Sequence, residues 1–315
     1  MSLKKPGNFV FILTLITITV WIGRLPAIAA VRPYIPDHVN GIWLSTGQIV
    51  NGGVLAVEID ATRWPQPVHD LTIRFREKKY SVYRHPLGEA GLYFSLVAIP
   101  FRSKPGKAKL TVQWVDFRGQ QSAAVEFRVT AGKYRSEELT VDSRRVTPPK
   151  KDRDRAQREY REIQRIYSEG IAAKLWNGNF ALPLNTVITS PFGNSRTFNG
   201  SLKSYHNGID FRAPVGTPVF AANAGTVRLA KNLFYSGNAV IIDHGTGLFS
   251  IYAHLNALHV ADNQRVAKGQ SIGLSGATGR VSGPHLHWGV KINGIAVDPL
   301  VLVDVINALM AGPEP

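Results

Sequence analysis

His285-Leu-His-Trp-Gly-Val-Lys-Ile292 reads as a β-strand that carries two histidines two residues apart. Successive side chains on a strand alternate between its faces, so His285 and His287 point the same way and can look into one site. Working outward, Asn238-Ala-Val-Ile-Ile242 and Phe249-Ser-Ile-Tyr-Ala253 read as two more strands, the second leading straight into His254. Short β segments with many glycines run from Phe180 to about Asp304, so residues 180–315 form an all-β domain in this reading.

A fourth histidine lies upstream in His206-Asn-Gly-Ile-Asp210. At strand rise, His206 and Asp210 would stand about 13 Å apart. That is too far for one ion holding its ligands at about 2 Å. Asn207-Gly208 is a turn signal that can fold the segment and bring both side chains inward. A helix would also bring positions four apart together, but Gly208, Ile209 and Phe211, with Pro214 close behind, argue against one. Together these residues offer two nitrogen ligands and one carboxylate, with two imidazoles left for proton transfer. A catalytic zinc needs that set: three protein ligands and a fourth position open to water.

The chain has no cysteine. That removes a thiolate nucleophile, disulfides and Cys-ligated zinc. No H-E-x-x-H occurs, so no glutamate base is offered by that route. No phosphate-loop pattern occurs among the glycines from Gly269 to Gly283, and Gly245-Thr-Gly247 lacks the third glycine of a dinucleotide fingerprint. His244 is expected to pack or hydrogen-bond at a strand end, and His259 to lie on the surface. Arg196 and Arg280 fall in expected rim loops, where an exposed arginine without a substrate role is the expectation.

At 315 residues with 44% hydrophobic content, the chain is long enough for two globular domains. Its net charge of +15 suits either nucleic acid or an anionic polymer. The N-terminus bears on that choice. Lys4 and Lys5 precede an uncharged apolar run from Phe9 to Ile22, and Ala27-Ile-Ala-Ala30 closes it. These features predict a secretory signal peptide over residues 1–30, cut after Ala29 or Ala30, with a retained membrane anchor as the alternative. The apolar run is shorter than the roughly 20 residues a spanning helix prefers. Export to the periplasm, cell envelope or medium follows, which disfavours nucleic acid and favours anionic envelope polymers.

Residues 31–132 read as about seven short strands separated by turns, an antiparallel sandwich of immunoglobulin-like kind. His38, His69 and His85 are scattered singly there and are expected to be structural or on the surface. Residues 133–179 read as a charged linker with a helix. Asp154/Arg158, Arg155/Glu159 and Arg158/Glu162 are opposite charges four apart, and Tyr160, Ile163, Tyr167, Ile171 and Leu175 give one apolar face. Docking of that face on a neighbouring domain is preferred over contact with an anionic polymer.

Three collinear motifs resemble one family. Residues 206–221 read H-N-G-I-D-F-R-A-P-V-G-T-P-V-F-A. Residues 237–255 read G-N-A-V-I-I-D-H-G-T-G-L-F-S-I-Y-A-H-L. Residues 266–290 read V-A-K-G-Q-S-I-G-L-S-G-A-T-G-R-V-S-G-P-H-L-H-W-G-V. This stretch, roughly Phe180 to Pro299, resembles the lysostaphin/LytM-type zinc metallopeptidases that cut peptidoglycan cross-links. The resemblance implies Zn2+ held by His206, Asp210 and His287, with His254 and His285 as the catalytic histidines. Gly289 stands where many members carry glutamate, and it is not a ligand position. His285 is read as the general base and His254 as the partner of the water or developing oxyanion, and the two roles could be exchanged. The substrate expected is peptidoglycan. The rival readings are a non-catalytic wall-binding activator of an amidase and a metal-dependent amidase. The long upstream region also suggests an autoinhibitory segment.

Overall fold

The computed structural model describes residues 39–85, 88 and 90–311. The expected leader at 1–30 and His38 lie outside them. The described residues all belong to one unit, 32–315.

Between Ile42 and Thr130 the described residues form nine strands in two sheets. One sheet orders Ile42–Leu44, Val54–Asp60, Leu92–Ala98 and Tyr83–Arg84. The other orders Gln48–Val50, Gly119–Thr130, Gly106–Asp116, His69–Phe75 and Lys78–Ser81. Pairing is antiparallel except that Gln48–Val50 runs parallel to Gly119–Thr130. In Gly119–Thr130, buried Ala123, Val125, Phe127 and Val129 alternate with exposed neighbours, as expected of a strand with one face on a core. Val54–Val57 are buried at every position, because the helix Pro299–Ala311 also packs on that strand. His69 is exposed beside Asp70, and His85 is buried against Phe94.

The charged segment is more closely built in than a linker. Its Ser136–Leu139 strand pairs in parallel with Ser195–Phe198, which pairs with Leu202–Tyr205. The helix spans Lys150–Ser168, so Ile171 and Leu175 fall beyond its end. Tyr160 is 62% exposed, and the docked face is instead Ile163, Ile166 and Tyr167. These pack on Leu229, Leu233, Ile241 and Phe249 of the C-terminal sheet. Arg155 and Glu159 pair at 2.6 Å as their spacing suggests, whereas Glu162 reaches across to Lys231 at 2.6 Å. No described helix is long and apolar enough to cross a membrane.

The C-terminal region centres on one antiparallel sheet. Its order is Ile188–Ser190, Ile209–Arg212, His285–Ile292, Leu248–Leu255, Gly237–Asp243, Gly225–Leu233 and Arg265–Val266. A smaller sheet of Pro218–Phe220, Ser271–Leu274 and Ala257–Leu258 lies beside it. Leu286, Trp288, Val290 and Ile292 of the central strand are buried in the core, leaving His285 and His287 on the opposite face. The all-β expectation for this region needs one correction: Pro299–Ala311 is a helix. Asp298 caps it through Leu300 N–H at 2.9 Å, and Pro299 occupies the first helical position, where its missing N–H costs nothing. Leu302, Ile306 and Leu309 bury its apolar face. One apolar cluster runs through both β regions without a break.

Candidate metal centre and catalytic cleft

The central strand sets the site by register. Asp210 pairs directly with His287, and Arg212 with His285, across the Ile209–Arg212 ladder. Ala253 pairs with His287 from the other side, which brings His254 to the same end. Residues far apart in sequence therefore meet at one end of three neighbouring strands.

His206 Nε2, Asp210 Oδ1 and His287 Nδ1 converge. His206 Nε2 lies 3.0 Å from both Asp210 Oδ1 and His287 Nδ1, and His287 Nδ1 lies 2.9 Å from Asp210 Oδ1. The Pro191 carbonyl accepts from His206 Nδ1 at 2.9 Å, so the Nε2 lone pair is the one aimed at the cluster. Three acceptor-capable atoms this close need a shared cation or protons between them. Ligands of a tetrahedral zinc stand about 3.3 Å apart, so this donor set fits a metal ion with shifts of a few tenths of an ångström. These are the described residues whose ligand atoms gather in this way. Burial opposes ionisation of Asp210, but the His206 and His287 imidazoles outweigh it and hold its pKa well below the usual carboxylate range. Burial pulls His287 down to about 4, leaving its imidazole neutral at pH 7.

Gly208 makes the turn possible. A Cβ there would stand 2.4 Å from the Trp288 carbonyl and 2.8 Å from the His287 ring, so only glycine allows the two segments to approach. Gly289 also faces this ring: a Cβ there would lie 3.6 Å from His287 Nε2.

His254 is delivered by a β-bulge. The pairing Asn238↔Leu255 is followed by Val240↔Tyr252, so one extra residue sits on the His254 side. His254 takes a left-handed φ of 64°, rare for a side chain of this size, and its N–H donates to Ser236 O at 2.8 Å. Its Nδ1–H donates to Thr278 O at 2.8 Å, and His285 Nδ1–H donates to Gly283 O at 2.8 Å. The ring centroids of His254 and His285 are 4.9 Å apart, and His285 Nε2 lies 3.7 Å from Asp210 Oδ1. With each Nδ1 committed to a carbonyl, both Nε2 atoms are left as lone-pair acceptors. Burial, then His285 and His287, push His254 down to about 3.

Two residues stand differently from the sequence expectation. Arg196 is not an exposed rim arginine: its side chain is 14% exposed and its Nη2 contacts Asp210 Oδ2 and Ser190 Oγ. Its Nε donates to Glu137 Oε2 at 3.0 Å, and Glu137 Oε1 accepts from Ser190 and Asn194 at 2.7 and 2.6 Å. Burial works against Glu137's charge, but these three donors hold its pKa below the ordinary value. A residue of the supposed linker thus supports Asp210 through Arg196. No spacing signal in the sequence pointed to Glu137, because its place depends on a parallel strand pairing across 59 positions. Arg280 is likewise partly buried, stacked 4.3 Å from Phe198 and 4.6 Å from Tyr235. His244 is fully buried away from the cluster, its ring held by Ala224 O and Ser250 Oγ, and burial pulls it down to about 4. His259 is beside Ser271 in an exposed pairing.

Glu137, Asp210, His254, Arg280 and His285 all line a cleft of about 290 Å³. Leu139 and Val141 from the upstream segment form part of its wall.

Comparison with known proteins agrees with this architecture. The profile of peptidase family M23 matches residues 204–299. A peptidoglycan DD-endopeptidase of Vibrio cholerae, ShyA, is 46% identical over 95 residues, 30% of this chain and 22% of that one. A DD-carboxypeptidase/endopeptidase of Neisseria meningitidis, Mpg, is 43% identical over 115 residues, 36% of this chain and 26% of that one. The matched stretch thus spans about a quarter of those relatives. The likeness extends further in a crystal structure from Pseudomonas aeruginosa assigned to peptidase M23. It is 30% identical with a TM-score of 0.62, and covers 81% of this chain and 94% of that one. The chain belongs to peptidase family M23.

Proposed function

We propose that this protein is an exported zinc endopeptidase that hydrolyses peptide cross-links of peptidoglycan. The observation that carries the reading is the convergence of His206 Nε2, Asp210 Oδ1 and His287 Nδ1 beside two imidazoles with free Nε2 lone pairs. His206, Asp210 and His287 would hold the zinc. When bound, zinc supplies a Lewis acid for the scissile carbonyl and an acidified water. Arg196 occupies Oδ2 of Asp210 and leaves Oδ1 for the metal.

His285 is the general base. His254, which burial pulls to about 3, is a poor proton acceptor near neutral pH and instead orients the attacking water through Nε2. At rest that Nε2 carries no proton, because Nδ1–H is committed to Thr278, so His254 does not begin as an oxyanion donor. The proton taken by His285 is then returned to the leaving amine. The names of the bacterial relatives support peptidoglycan as substrate and the cell envelope as the place of action. The net charge of +15 supports retention on anionic envelope polymers.

The N-terminal sheets form an immunoglobulin-like sandwich in this reading. Two features support it: the split of the nine strands into sheets of four and five, and the parallel Gln48–Val50 pairing at one edge.

Digestion of purified peptidoglycan with and without chelator, followed by mass spectrometry of the muropeptides, tests the function. Loss of cross-linked dimers that stops with chelator and returns with zinc is expected. Glycan strands freed of their peptides would replace this reading with an amidase, and unchanged peptidoglycan in every lane with a non-catalytic activator.

A further inference from the structure

The segment from Thr278 to Gly283 touches both histidines of the cleft, His254 and His285. Thr278 O accepts from His254 and Gly283 O accepts from His285, and Arg280 lies between these two anchors. Gly279 has a φ of 85°, and a Cβ on it would stand 2.4 Å from Gly237 N, so the segment is seated closely on its neighbour. Arg280 N–H donates to Tyr235 O at 2.8 Å and fixes the start of the side chain. Its guanidinium is then clamped between the Phe198 and Tyr235 rings, 4.3 and 4.6 Å from their centroids.

What this clamped cation lacks is a counter-ion. Among the described residues no carboxylate pairs with it and no acceptor takes a hydrogen bond from its side chain, although it lines the cleft together with His254 and His285. The cleft's own carboxylates, Glu137 and Asp210, are engaged by Arg196 and the histidines. Burial first, and the Arg196 charge as well, lower the guanidinium's pKa, so an anion docking there relieves a cost the fold already carries. A pre-oriented guanidinium with all its donors unspent matches a carboxylate, which it can grip through two parallel hydrogen bonds.

The side of the scissile bond follows from the proton's route. The leaving amine receives its proton from His285, and Arg280 lines the cleft beside it, three residues before the Gly283 carbonyl that orients that ring. We propose that Arg280 is a specificity residue that binds a free carboxylate on the residue supplying the amine side of the scissile peptide bond. This rests on the peptidase reading above. It narrows the substrate to peptides whose next residue carries an unblocked carboxyl group, and disfavours uncharged bridges and amidated stems.

The test uses the full-length protein and two cross-linked peptide dimers. They differ only in whether the carboxyl beside the scissile nitrogen is free or a carboxamide. The wild-type protein is expected to favour the free acid in kcat/KM by about tenfold to a hundredfold, mostly through KM, as for a charge-assisted hydrogen bond. In R280M that ratio should collapse towards one, and R280K should keep part of it, having the charge without the fork. A merely structural arginine would lower both substrates together and leave the ratio unchanged, which overturns the inference, as would equal use of both dimers by the wild type. Calorimetric binding of the two dimers reads the same preference independently of turnover. No cleavage of either dimer, with binding still selective for the acid, would therefore count against the peptidase reading alone. Equal binding would sink the carboxylate site.

Discussion

The Glu137–Arg196–Asp210 chain makes a quantitative claim about a residue far outside the matched peptidase stretch. In E137Q the shape of the side chain survives, but one carboxylate oxygen becomes an NH2 group. Glu137 accepts from Ser190 at 2.7 Å, Asn194 at 2.6 Å and Arg196 at 3.0 Å, so the new amide must turn a donor toward one of these donors. At least one hydrogen bond to a charged group is lost, worth about 1.5–3 kcal/mol. Both partners of the ion pair are mostly buried, 14% and 21% exposed, so solvent does not replace the bond cheaply. Without Glu137 to fix it, Arg196 no longer holds Asp210 Oδ2 in one place, and Oδ1 is less well oriented toward a metal. The proposed zinc affinity should then fall by about tenfold to a hundredfold, the range for partners of metal-bound side chains. Zinc competition against a chromophoric chelator measures this, with thermal unfolding of the metal-free proteins as the control for folding. R196M should weaken zinc similarly, and E137Q/R196M should be no worse than the weaker single variant, because one path is broken twice. Zinc affinities in E137Q and R196M equal to that of the wild type, or losses that simply add, would refute the reasoning.

H285A should retain zinc and lose about 10²–10⁴-fold in kcat, the usual worth of a positioned base; loss of zinc together with activity would make His285 a ligand instead. G208A should lower thermal stability and zinc affinity together, since its Cβ meets the Trp288 carbonyl at 2.4 Å and the His287 ring at 2.8 Å; an unaltered melting point would count against the close approach. A fragment beginning at residue 180 lacks the Ser136–Leu139 strand and should bind zinc less tightly than one beginning at residue 133; higher activity in the shorter piece would instead support an autoinhibitory upstream segment. His244 is fully buried with its pKa pulled to about 4, so the unfolded chain binds a proton there between about pH 6.5 and 4 while the folded one does not. Its contribution is intact above pH 6.5 and is lost as pH falls toward 4, by about 3 kcal/mol. Urea midpoints of wild type and H244Q across that window should show a shallower acid slope in the variant.

The parts of the fold legible in the sequence were those whose pattern is local. His285–Ile292 alternates so regularly that its ends and its face could be read from the chain, and Asn207-Gly208 announced the turn beside His206. The parts that were missed depend on pairing at a distance or on unusual backbone. Nothing near Glu137 reveals that its strand will lie beside Ser195–Phe198. Tyr160 fits the helical period but falls on the solvent side, because the face is chosen by where Leu229 and Phe249 stand. Leu300-Val-Leu-Val303 has strand-like composition, and only the Asp298-Pro299 cap ahead of it signals a helix.

His254 also bears on how this site can change over generations. A histidine at φ 64° is held where glycine or asparagine would sit with less strain. Replacing it by glycine should leave the folded state no less stable, or slightly more so, while removing the imidazole from the cleft. Drift that rewards stability alone therefore pulls this position away from histidine, and only continued selection for turnover keeps it there.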